Sequence, residues 1–342
     1  MRANGLGSLL GRMLSGSALL AACAGSSPPE PEAALPPPSP PPADRPPATE
    51  QTATARAPTP AASDAAQPAA PTAPAPVVRF TEGLATPESV LYDATADRYL
   101  VSNINGKPLD VDNNGFIAVL APDGAVIKEK LIAGGQNGAT LNAPKGLGIS
   151  KGILYVTDID VVRKFDVETG LPKGEIKVPG ATFLNDVSVA PDGRVFVTDS
   201  DRAVIGAPAA GSSAVYVIDK DKLKTVAKSV ELKGPNGVLW TDKGLLVVTG
   251  TSNEIFRLDD KGVRSEVTQT PKGGLDGLVS VGDTLLVSSW EGSAVFRGKL
   301  GGTFEPILTG VSGAADIGYD AKRSRVLVPR FLDSVVEVYA LP

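Results

Sequence analysis

The chain of 342 residues has no histidine and a single cysteine, Cys23. The first absence excludes a Ser-His-Asp triad and a histidine-dyad lactonase. The second excludes an intramolecular disulfide, so export cannot be argued from cysteine pairing. Heptads and long segments of 3.6-residue apolar period are missing as well, which argues against helical architectures. The formal net charge is only −5 and the basic residues are scattered, so nothing points to nucleic acid. What remains for chemistry is oxygen, from carboxylates and amides.

The N-terminus reads as an address. Arg2 and Arg12 precede a short apolar run over 13–22, of signal-peptide length and too short to span a bilayer. It ends in Leu20-Ala21-Ala22-Cys23, which resembles the lipobox of bacterial lipoproteins. The resemblance implies a signal peptide over 1–22, cleavage before Cys23 and lipidation of its thiol; an ordinary secretory peptide with an incidental cysteine is the alternative. The protein is then exported and lipid-anchored at an outer membrane, facing periplasm or cell surface, and meets the membrane through that anchor only. Residues 23–76 hold 17 of the 30 prolines, among Ala, Ser and Thr. Too few apolar side chains are present there to offset the entropy of ordering, so the segment reads as a disordered linker of polyproline II character.

Over 77–342 the pattern changes. GPNGVLWTDKGLLVVTG at 234–250 is a polar residue, a short apolar strand, a turn at Asp242-Lys243-Gly244 and a second apolar strand. Five counterparts start at Thr86, Ala143, Leu184, Leu275 and Ala315. Superposed, they bring Glu88, Lys145, Asp186, Asn236, Asp276 and Asp316 into one column, at intervals of roughly 40–57 residues. Repeats of this size, built from short strands and turns, are the signature of propeller blades. Asp-Gly, Asn-Gly and Lys-Gly pairs punctuate the strands and supply the positive φ of tight hairpins. The expected fold is all-β, a six-bladed β-propeller of four-stranded antiparallel blades following the lipoprotein signal peptide and the Pro/Ala-rich linker; a seven-bladed ring is the alternative, but the sequence shows no further unit for it. The last unit has only three strands before the chain ends; VVRFTEGL from Val77 is the expected fourth, and its pairing closes the ring.

In such a ring the first strand of each blade lines the channel, and the column sits at its mouth. Four acids (Glu88, Asp186, Asp276, Asp316), one amide (Asn236) and one cation (Lys145) must then be accommodated. Crowded acids have raised pKa values unless a cation neutralises them, and a bound metal ion is the economical explanation. Separate satisfaction by water and backbone N–H groups is the alternative. Asn103, Asp158, Asp199, Ser289 and Arg330 end the second strands and form an outer polar ring, mostly in turn roles. The Arg330 guanidinium is suited to an anionic group.

On these residues the chain resembles the SMP-30/gluconolactonase/LRE family of six-bladed propellers, the regucalcin-like lactonases. The motifs are Pro-Glu at Glu88, Asn-Asp with a downstream Pro-Asp-Gly over 185–193, Pro-Asn-Gly at Asn236 and Asp-Gly at Asp276. The resemblance implies that Glu88, Asn236 and Asp276 bind one divalent cation, with Asn185 contacting metal-side water or substrate. Phe183 stands where sugar-lactone enzymes often have Arg, and Lys145 lies outside the pattern.

Carboxylates with an amide carbonyl suit Ca²⁺ first, with Mg²⁺, Mn²⁺ or Zn²⁺ as alternatives. Such an ion polarises an ester carbonyl and acidifies a bound water, and Asp276 or Asp186 takes the proton. Asn185, Lys145 and Arg330 are the candidate substrate contacts. The expected activity is hydrolysis of a lactone or related ester by a monomer acting on a small molecule. A non-catalytic propeller that binds a ligand or protein around a structural ion is the alternative. Asp110-Val-Asp-Asn-Asn114-Gly resembles the start of a calcium loop, but Ala121 stands where its Glu is required, so it reads as a polar hairpin insertion. Trp240 and Trp290 read as packing residues.

Overall fold

A computed structural model describes residues 74–341. The expected signal peptide, Cys23 and nearly all of the 23–76 linker lie outside the described residues.

Alternating apolar positions and β-branched runs fold into six four-stranded antiparallel sheets. Blades one to five are each built from consecutive strands, over 87–133, 144–177, 184–228, 235–269 and 275–309. Blade six contains Gly318–Asp320, Arg325–Arg330 and Val335–Ala340, and its fourth strand is Val78–Phe80 from the start of the described chain. Phe80 pairs with Val336 and Val78 with Val338. The closing strand is therefore where the sequence places it, though only three residues of it pair.

The buried core is distributed between blades. Leu100 and Ile117 of blade one meet Leu147, Leu154 and Phe165 of blade two, and an apolar cluster of the same kind lies between every other neighbouring pair. No blade buries both faces alone, so stability requires the whole ring. Phe80, 2% exposed, packs with Leu327, Val336 and Val338 of blade six and with Val101 of blade one. Phe80→Ala is expected to destabilise by about 3–5 kcal/mol, lowering the melting midpoint by on the order of 10 °C. Arg79→Ala, which removes an exposed partner of Glu337, changes it by no more than about 2 °C. Equal midpoints for the two variants in a thermal melt would remove the closing role from this strand.

One local irregularity recurs and positions the site. In blade one Pro87 faces Asn103 but Val90 faces Val101, so the channel strand carries one extra residue. The same shift follows Pro144, Leu184, Pro235 and Leu275 in the next four blades. Such bulges re-aim side chains out of the ladder. The register also corrects the sequence column. Asn185, not Asp186, is equivalent to Glu88, Lys145, Asn236 and Asp276, while Asp186 falls one position later with Ser89, Gly146, Gly237 and Gly277. Asp316 bridges to Ser89 and shares that later position. Asn-Asp in blade three offers two adjacent polar residues, and the sequence superposition took the second.

The glycines that follow Lys145, Asn236 and Asp276 are not hairpin residues. They lie inside channel strands without positive φ. A Cβ at Gly237 would overlap the carbonyl oxygen of Asp276, and one at Gly277 the amide nitrogen of Ile317. Here glycine permits close approach of neighbouring blades around the axis. The turn role belongs to pairs such as Lys151-Gly152, both with positive φ.

Candidate active site

Where the channel strands begin, a cavity of about 430 Å³ opens. Glu88, Lys145, Asn185, Asn236 and Asp276, one bulge residue from each of five blades, line it. Its volume lies within the range of small-molecule sites. Asp186 and Asp316 do not line this cavity. They face a second one, of about 480 Å³, lined by later residues of the same strands.

Glu88, Asn236 and Asp276 are 6%, 4% and 5% exposed. Among the described residues five buried side-chain oxygens lack a hydrogen-bond partner, and three of them are Glu88 Oε2, Asn236 Oδ1 and Asp276 Oδ1. The other oxygen of Asp276, Oδ2, accepts from Trp290 Nε1 at 2.6 Å. Asn236 Nδ2 donates to the Leu275 carbonyl at 3.0 Å, leaving Oδ1 as its unpaired atom. One buried unsatisfied polar atom costs about 1–3 kcal/mol. Three in one cavity, all acceptors, fit a cation better than separate waters. Two carboxylates and an amide form a hard oxygen set suited to Ca²⁺, Mg²⁺ or Mn²⁺. Among the described residues no three His, Cys, Asp or Glu side chains form a group that could hold an ion; this set has two acids and depends on Asn236.

The buried acids all shift in one direction. Burial pushes Glu88 well above the ordinary carboxylate range, and Asp276 and Asp316 push it further while Lys145 opposes them. Asp276 is pushed up to about 7 by burial and then by Asp316. Burial likewise raises Asp186 to about 7 and Asp316 well above its usual value. Each acid disfavours its charged form.

Lys145 is 1% exposed; its Nζ donates to the carbonyls of Pro108 and Ala143, both at 3.1 Å, and lies 4.4 Å from the Phe183 ring centroid. Burial lowers its pKa to about 8, against the pull of Glu88 and Asp158. Asn185 Nδ2 donates to Ser200 Oγ at 3.0 Å. Asp186 accepts from the amides of Val187 and Val238, at 2.5 and 2.7 Å. Asp316 Oδ2 accepts from Ser89 Oγ. Arg330 is not brought to the cavity: it pairs with Asp333, Glu337 and Ser312, while Phe331 beside it lines the wall. The outer ring takes loop-holding roles. Asp158 accepts from the amides of Asn142 and Ala143, Asp199 from those of Thr182 and Phe183, and Asn103 from that of Ala85. In the 110–114 loop Asp112 bonds Asn114, and Asn113 Oδ1 accepts from the Leu141 amide, pinning the insertion to the blade-two entry.

Two features escape the sequence reading. Trp290 packs on Phe331, ring centroids 5.5 Å apart, but it also orients Asp276. Hydroxyls one residue before the outer ring fasten the bulges: Thr198 Oγ1 accepts from the Asp186 amide and donates to the Asn236 carbonyl. Ser288 Oγ does the same between the Gly277 amide and the Ala315 carbonyl. The signal was present as Ser or Thr at the same place in VSN, VTD and VSS.

No family model and no curated protein matches the chain. Solved structures do. A gluconolactonase from Xanthomonas campestris is 18% identical over 77% of this chain and 88% of its own, with a TM-score of 0.56. This chain has that propeller fold. A catalytically inactive virginiamycin B lyase from Staphylococcus aureus, solved with quinupristin, is 15% identical over 77% of this chain and 98% of its own, with a TM-score of 0.52. A chain of a nidogen/laminin complex is also similar, at 15% identity over 63% of this chain and 76% of its own, with a TM-score of 0.50. At these identities the likeness concerns architecture alone.

Proposed function

We propose that the protein is a metal-dependent hydrolase of a lactone or related ester, with Glu88, Asn236 and Asp276 holding one divalent cation, Ca²⁺ first. The observation that carries the reading is the convergence of three unpartnered buried oxygens from three blades on one cavity. When bound, the ion supplies Lewis-acid polarisation of the ester carbonyl and a more acidic water. Trp290 and the Leu275 carbonyl hold Asp276 and Asn236 in orientation before any ligand arrives. Lys145 places the only cationic side chain of the cavity wall beside the acids, where it would steady the carboxylate that ester cleavage produces. Both oxygens of Asp186 are committed to backbone amides outside the cavity, so of the two candidate bases only Asp276 reaches the cavity, with Oδ1 given to the ion and Oδ2 held by Trp290 Nε1. The gluconolactonase likeness supports the reading only in that a propeller of this kind carries such an activity elsewhere.

The test is turnover of a panel of lactones and aryl esters by the full chain, stripped with chelator and then reloaded with Ca²⁺, Mn²⁺ or Zn²⁺. Hydrolysis of at least one substrate is expected, lost on chelation and restored by one of the ions. An ion that binds without turnover of any substrate would leave a ligand-binding propeller with a structural ion. Turnover indifferent to chelation would remove the metal from the reaction.

A further inference from the structure

The cavity is divided by chemistry. Apart from Glu291, its polar side chains come from the channel strands, and the walls above them are mostly apolar: Ile104, Phe183, Val204, Ile205, Trp290 and Phe331. Part of its hydrogen-bonding capacity is already committed. Lys145 Nζ is shared between two carbonyls and a ring face, Asn185 Nδ2 is held by Ser200, and Glu291 Oε2 accepts from the Gly273 amide. The free oxygens on Glu88, Asn236 and Asp276 are those assigned to the ion. Sugar hydroxyls set against the apolar wall would lose water without a partner on that side.

The apolar wall is also built deliberately close to the site. The 3₁₀ turn Arg202–Ile205 carries Val204 and Ile205 to the cavity. Asp201, in a positive-φ conformation, accepts from the amides of Ala203, Ala210 and Ser212 and so ties both ends of this loop. At Gly250 a Cβ would overlap Val204 Cγ2, so glycine is what lets the loop approach blade four. Ile205 nevertheless stays 44% exposed at the cavity, and Leu332, next to Phe331, is 65% exposed. Large apolar side chains left open beside a cavity are covered when an apolar ligand fills it.

Resting on the hydrolase reading, we infer that the substrate class is an ester or lactone bearing an alkyl or aryl group, seated against Phe183, Ile205, Trp290 and Phe331, and not a sugar lactone. Hydrolysis adds water across the acyl–oxygen bond of such a ring and gives a hydroxy acid, whose apolar chain stays against the wall. Each buried methylene adds to binding. A five- or six-carbon side chain is therefore expected to raise kcat/KM by on the order of 100-fold over a polyhydroxylated lactone of equal ring size.

The experiment compares δ-decanolactone with glucono-δ-lactone on the ion-loaded full chain, and adds a binding arm independent of turnover. In that arm a Trp240→Phe chain, whose only remaining tryptophan is Trp290, is titrated with 2-pentylcyclohexanone, which cannot be hydrolysed, and separately with a cyclic polyol. The expected result is about 100-fold preference for decanolactone, a change in Trp290 emission with the ketone alone, and about tenfold less preference in Ile205→Asp and in Phe331→Ser. Equal or faster turnover of gluconolactone would overturn the substrate class while leaving the hydrolase reading intact. Binding of the ketone and not the polyol, with no turnover of either lactone, would uphold the apolar ligand class and overturn hydrolysis. A ketone that leaves Trp290 emission unchanged, together with no preference in turnover, would overturn the inference.

Discussion

Glu88→Gln and Asp276→Asn each lower divalent-cation affinity by more than about 100-fold, since replacing groups even one shell further out commonly costs 10–100-fold. Asp316→Asn changes it by less than about threefold. The contrast follows from the bulge register. Glu88 and Asp276 each present an unpartnered oxygen to the cavity, and their replacements keep shape while removing charge. Asp316 lies one position later, bonded to Ser89. Burial already favours its neutral form, so an amide there removes little charge at neutral pH. Calorimetry with Ca²⁺, Mn²⁺ and Zn²⁺ separates the cases. In chelator both ligand variants melt at or above the parent temperature, because each removes an acid that the fold disfavours. That control shows that lost binding is not lost folding. Unchanged affinity in both ligand variants would take the ion away from this cavity.

The architecture was legible because it rests on local grammar repeated six times. Apolar alternation, a turn such as Asp242-Lys243-Gly244 and the solitary strand from Val77 were enough to order the blades and close the ring. The positions of Glu88, Asn236 and Asp276 at the channel mouth were legible for the same reason, since each follows Pro or Leu at the start of a channel strand; their reading as ligands rests on the family resemblance and not on the repeat. The exact column was not. A one-residue bulge has no composition of its own, so superposition on sequence alone cannot separate Asn185 from Asp186 or set Asp316 beside Ser89. Asn236-Gly237 and Asp276-Gly277 open apolar strands in the sequence, but only the proximity of the next blade reveals that their glycines make room. Trp290 and the Val204–Ile205 loop were hidden for a different reason. They reach the cavity from outside the repeat, and periodicity carries no information about them.

Lowering the pH from 8 to 6 is expected to reduce cation affinity at the proposed site by about tenfold through Asp276 and further through Glu88, and the absence of histidine makes the cause readable. Asp276 is held at about 7 and Glu88 well above its ordinary value of 4.5, both mainly by burial. The ion must displace those protons, and each displaced proton costs up to about tenfold in affinity per pH unit below the relevant pKa. The metal-free fold shows the opposite trend. These acids bind protons more tightly folded than unfolded, so between about 4 and 7 the native state carries the extra protons. Stability of the metal-free protein is therefore greatest at the lower end of that window and declines as pH rises through it. No imidazole titrates between pH 5 and 8 to mask the trend, and the carboxylates with lowered pKa values, such as Asp166 and Glu254, are already ionised there. Melting in chelator from pH 5 to 8 is expected to fall by about 5 °C or more, while saturating Ca²⁺ cancels the fall above pH 7. A metal-free midpoint that rises over this interval would mean that the buried acids are already neutralised by the chain itself, and the case for an ion would go with it.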